Sequence, residues 1–162
     1  MLSTLILLGT GFGCASGDRP SAGAGSAAAD TTGSIPYRVD GSLDFLRDGE
    51  LLKTIEIEIA DTDSARTRGM MQRESIPADW GMLFIFPNEQ ERGFWMANTP
   101  KALDLMFIDA DSTIGNIARY VQPMSAETIP SEGPARFVLE VEAGYTESIG
   151  ILEGDRVRWR RD

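Results

Sequence analysis

The sequence contains no histidine, a single cysteine (Cys14), and only two lysines, Lys53 and Lys101, among its 15 basic residues. Without histidine, the commonest general base and the commonest metal ligand are both missing. A lone cysteine excludes a disulfide framework within the chain. Positive charge is also scarce: 25 acidic residues leave a formal net charge of -10. Such a balance repels nucleic-acid phosphates and anionic lipid headgroups, so neither a nucleic-acid partner nor an electrostatic hold on a membrane is expected. What the chain does have is 162 residues that are 42% hydrophobic and 25% charged, enough for one well-formed core.

The first stretch reads as an address. Residues 2–12, "LSTLILLGTGF", form an apolar run too short to span a bilayer as a free helix. With Gly13 and Cys14 behind it, the run suits the core of a secretory signal peptide. A small residue before a lone cysteine resembles the bacterial lipobox, although Gly11 stands where a leucine-like residue is usual. Residues 1–14 are therefore expected to be a signal peptide ending in an acylated Cys14. Residues 15–36 are Gly, Ala and Ser with almost no large apolar side chain, the composition of a flexible tether. Several acyl chains on Cys14 would hold the protein at a membrane, where one is marginal. The expected location is the bacterial cell envelope, after export.

From residue 37 onward the pattern is that of strands. "TIEIEIA" alternates Ile55, Ile57 and Ile59 with Glu56 and Glu58, the period of a half-buried strand, with both glutamates on the solvent side. Leu43–Leu46 followed by Asp48-Gly49 predicts a hairpin into it. Thr62 or Asp63 can cap a short helix carrying Arg66, Arg68, Met70 and Met71. "GMLFIF" up to Pro87, "FWMAN", "LDLMFID", "TIGNIARYV", "RFVLEVEAG" and "GDRVRWRR" supply further strands. About eight short strands at close spacing predict a mainly β domain over 37–162. The form expected is a single antiparallel barrel or a jelly-roll-like sandwich with one or two short helices.

These segments carry a family likeness. Arg66-x-x-Gly69-Met70-Met71, then "GMLF", "FWMANT", Leu103-Asp104 and "VLE" before Gly154-Asp155 are similar to the pattern of the DUF192 family. The likeness spans residues 54–159. Met70 stands where that pattern usually has Leu, Ala97 where it has Lys, and Lys101-Ala102 where it has Ile-Pro. The resemblance implies a compact, mostly β and often exported domain. It implies no activity, and fold alone does not supply one.

The chemistry-bearing residues are few. Asp104 interrupts an apolar strand, and a buried carboxylate needs a partner; an arginine such as Arg68 is expected to hold it. Arg66 and Arg68 lie two apart on a helix and point roughly 200° apart, so one should face the domain and the other water. Asn98 and Thr99, ahead of Pro100, are placed to fix a turn or to rim a pocket walled by Trp95 and Phe94. Asp104 and Glu140 could form an acid–base pair, which would make the protein an envelope hydrolase. Seven methionines without His or Cys beside them read as core filler, so no metal and no cofactor is expected. The preferred reading is a non-enzymatic envelope domain that binds a small molecule, a glycan or a protein. Its pocket candidates are Arg68, Trp95, Asn98, Thr99, Asp104 and Glu140. The competing classes are a hydrolase using Asp104 or Glu140 and a structural component of an envelope complex.

Overall fold

The computed structural model describes residues 35–162. The signal peptide, Cys14 and all of the tether but Ile35 and Pro36 lie outside the described residues. Nine strands and two short helices follow in the order β1 (Gly41–Arg47), β2 (Glu50–Ala60), α1 (Asp63–Arg68), β3 (Trp80–Gln90), β4 (Gly93–Phe94), β5 (Leu103–Ile108), β6 (Ile114–Val121), β7 (Ile129–Pro130), β8 (Ala135–Glu142), α2 (Tyr145–Ser148) and β9 (Arg156–Arg161). Seven of the strands form one sheet in the order β6-β5-β8-β3-β2-β1-β9, and β4 pairs with β7 apart from it.

The expected hairpin forms between β1 and β2. Its two-residue turn is Asp48-Gly49, both with positive φ (52° and 86°), the combination whose twist matches the flanking strands. Helix α1 is short because both ends are specified. The Thr62 hydroxyl accepts from the Ala65 N–H, and the chain leaves the helix at Gly69 with φ 49°. Strand β3 runs beyond Pro87, which lies where the pairing with β8 is interrupted between Ile85 and Gln90. Proline has no N–H to give a ladder and is tolerated at such a break.

The mainly β class holds, but the sheet is neither purely antiparallel nor a closed barrel. β2 and β3 run parallel, in register from Glu56 opposite Trp80 to Ala60 opposite Phe84. The connection through residues 61–79, with α1 in it, is long enough for the crossover that a parallel pair requires. The two edges are joined at an isolated bridge between Thr113 and Arg156 and by the Gly154 N–H on the Ile114 carbonyl. Beyond it, side chains replace a ladder on β6. Glu153 accepts from the Ile117 N–H at 3.1 Å, and Arg119 reaches the Ile151 carbonyl. An edge covered in this way has no need to close.

Alternation divides the buried side chains between two faces. Leu83, Met106, Ile108, Phe137, Leu139 and Val141 belong to an inner core with Leu43, Phe45 and Val157. Met82, Phe84, Leu103, Leu105, Phe107 and Val138 point the other way, toward a second core closed by Met70, Ile76 and Met96 from the connecting segments. The outer face is thus covered by loop and helix rather than by a second sheet, and it is there that a pocket remains. Among the described residues, no helix is long and apolar enough to cross a membrane.

Candidate functional site

The outer-face pocket lies between α1 with its following turn, the middle of β3 and β8, and the segment 93–99; its volume is about 220 Å³. Phe84 and Phe94 meet edge to face at 5.0 Å and, with Met70, make an apolar wall. Gly69 lets α1 stop against this wall, because a Cβ there would stand 3.1 Å from the Phe84 ring. Trp95, about half exposed, and Arg68, exposed on α1, stand at the mouth.

Glu140 lies at the floor. Register places it between Met82 of β3 and Leu105 of β5, so its side chain enters the outer core. The residue is 4% exposed, and its Oε2 has no hydrogen-bond partner among the described residues. Burial raises its carboxyl from 4.5 to about 8, against the opposing pull of Arg73. Near neutral pH Glu140 is therefore mostly a neutral carboxylic acid, a donor as well as an acceptor.

Arg73, from the turn after α1, is buried beside this floor. It donates to Glu58 at 2.8 Å, and its guanidinium lies over the rings of Tyr37 and Trp80 at 5.1 and 5.2 Å. Its Nε and Nη1 find no acceptor. Glu58 is buried rather than on the solvent side; Glu56 alone is exposed as expected. No sequence signal marked Arg73, which lies in an irregular segment, and the regular Glu56/Glu58 alternation concealed Glu58.

The six candidates divide. Arg68, Trp95, Thr99 and Glu140 line one pocket. Asn98 lies outside it, exposed, with φ 56° and its carbonyl accepting from the Gln72 N–H at 2.8 Å. Its part is to tie two covering segments together. "FWMAN" is a strand only at Gly93–Phe94; from there Met96 N–H turns to the Ser125 carbonyl. Asp104 is on the opposite, inner side of β5 and is not paired with Arg68. Its oxygens accept from the N–H groups of Tyr120, Gly144 and Thr146 and from the Thr146 hydroxyl, at 2.7–3.1 Å. Backbone donors satisfy it where an arginine was expected. Because Asp104 and Glu140 face opposite sides of the sheet, they cannot act together as an acid–base pair.

Of the two helical arginines it is Arg66, not Arg68, that turns inward. It donates to the carbonyls of Asp61 and Ile85 and to the exposed Asp63 carboxylate. Its guanidinium lies 5.3 Å from the Phe86 ring, and Arg92 lies 3.9 Å from the same ring. The Arg68 carbonyl accepts from the Met71 N–H, but its side chain makes no hydrogen bond or ion pair among the described residues. Among those residues, no cluster of acidic, cysteine or histidine side chains could hold a metal ion.

The model of DUF192, described as an uncharacterized ACR, matches residues 45–159. No curated protein matches the chain. It is similar to a crystal structure from Sinorhizobium meliloti 1021 described as a "putative transcription regulator", with 33% identity, 78% of this chain and 98% of that one covered, and a TM-score of 0.72. A protein of unknown function from Novosphingobium aromaticivorans DSM 12444 is 28% identical, with 85% of this chain and all of that one covered (100%) and a TM-score of 0.70.

Proposed function

The chain belongs to the DUF192 family, and from that premise we propose that this member is a binding domain that takes a small molecule into the outer-face pocket. The observation that carries this reading is the state of Glu140. A carboxyl with an unpartnered oxygen, 4% exposed, is costly unless something else supplies its hydrogen bond. Here it lies at the floor of an open cavity with aromatic walls, the usual composition of a ligand site. Glu140 then orients a ligand, Phe84, Phe94 and Met70 hold its body, and Trp95 and Thr99 border the entrance.

Thr67→Trp tests this. Thr67 is exposed on α1 and lines the pocket, so a bulky side chain there blocks the mouth without entering the core. Fragment-sized ligands found by ligand-observed NMR on the full-length protein should lose at least about tenfold in affinity for the blocked variant. Ligands that bind both proteins equally would end the reading.

The apolar run of residues 2–12, Cys14 and the Gly/Ala/Ser tether support a second element of the reading: the domain is exported and held at an envelope membrane by acyl chains on Cys14. Replacing Cys14 by Ser should move the full-length protein from the membrane to the soluble fraction of its host. Equal partitioning of the two forms would end that element alone.

A further inference from the structure

We propose that the pocket takes a small organic monoanion, with a carboxylate on Arg68 at the mouth, a compact apolar body against Phe84 and Phe94, and a neutral polar group filling the open hydrogen-bonding position of Glu140. This rests on the reading of the pocket as a ligand site and adds the chemistry of the ligand.

Three observations lead to it. The first is local charge. In a protein of net charge -10, Arg66 and Arg68 line the pocket, and Arg92 lies behind it against the same Phe86 ring that Arg66 covers. Arg66 is paired with Asp63, whose side chain is fully exposed, where screening leaves an ion pair little strength, and feels Asp61, which Arg161 already pairs. Mutual repulsion with Arg66 adds to burial in lowering the Arg92 pKa. Several arginines elsewhere are matched by an acid: Arg47 with Asp155, Arg158 with Asp44, Arg161 with Asp61. Arg68 alone at the mouth is left with a free planar fork of donors, the geometry that suits a carboxylate.

The second is that Glu140, the one acid lining the pocket among the described residues, is neutral near pH 7 and so adds no negative charge to answer Arg68. A cationic ligand would find no counter-charge. The third is size. Pockets for drug-sized ligands measure about 300–1,000 Å³, and a cavity of about 220 Å³ suits one ring or a short chain.

The test is isothermal titration of the full-length protein with para-hydroxyphenylacetate, its amide and tyramine, which share a ring and differ in charge. The acid should bind at least about tenfold tighter than the amide, and tyramine should not bind. Arg68→Gln should erase the preference for the acid and Arg68→Lys keep part of it, both with an unchanged melting temperature because Arg68 is exposed. Equal binding of acid and amide, each blocked by Thr67→Trp, would overturn the anionic class while the pocket stands. Failure of the acid to bind would overturn it too, leaving the fragment search to judge the pocket. Binding of the acid that ignores Thr67→Trp would overturn both.

Discussion

Glu140→Gln should unfold at a higher temperature than the parent protein above pH 8. In the unfolded chain the Glu140 carboxyl ionises near 4.5, and in the folded domain near 8. Between these values the folded state holds a proton that the unfolded state has released. Stability therefore falls as pH rises from about 4.5 to about 8 and is level beyond. A shift of that size corresponds to about 5 kcal/mol. Water entering the open pocket on ionisation relieves part of it, so an advantage of about 3 kcal/mol for the amide is expected. The measurement is urea unfolding of both proteins from pH 4 to pH 9. Converging stabilities at low pH and diverging ones at high pH are expected; parallel curves would mean that Glu140 ionises as an ordinary surface acid. A residue that lowers stability at neutral pH, and that a single substitution would relieve, is what a binding site built at the expense of the fold looks like.

That acid was legible in the sequence, because a glutamate between Val138, Leu139 and Val141 breaks an apolar strand. The pocket around it was legible only in part. Trp95 and Thr99 announce themselves at the end of an aromatic segment, read as a strand, that runs into Asn98-Thr99-Pro100. Phe84 does not: it is one of six residues in "GMLFIF", and nothing local says which alternate residues face the inner core and which the pocket wall. The parallel pairing of β2 with β3 was hidden for a related reason. A strand buried on both faces reads the same whichever way its neighbour runs. The β1–β2 hairpin was fully legible, since alternation and the Asp48-Gly49 turn are both local. The same alternation misled at Glu58, where a polar residue in phase with solvent is buried by an arginine 15 residues away in the sequence.

Asp104→Asn should give the opposite result to Glu140→Gln, a large loss of stability at neutral pH. Both are acids in apolar strands with neighbouring registers, yet their surroundings differ in kind. The Asp104 oxygens receive four donors, three of them backbone N–H groups. Two of these come from residues with positive φ, Tyr120 at 53° and Gly144 at 84°, so the carboxylate fixes an irregularity of β6 and the turn into α2 together. An amide in its place loses the charge and sets its own NH2 against one of those donors. Hydrogen bonds to a charged group contribute about 1.5–3 kcal/mol each, and an opposed buried donor adds a penalty. A loss of about 3 kcal/mol or more is expected, near 10 °C in the melting temperature of a domain this size. Thr146→Val, which removes one donor and leaves the charge, should cost about 1.5–3 kcal/mol. Below their melting temperatures, both variants should bind pocket ligands as the parent does, since Asp104 lies on the other side of the sheet. A melting temperature within a degree or two of the parent's for Asp104→Asn would mean that these backbone groups find water as readily as the carboxylate. Stable variants that lose ligand binding would instead tie Asp104 to the pocket, against the geometry that separates them.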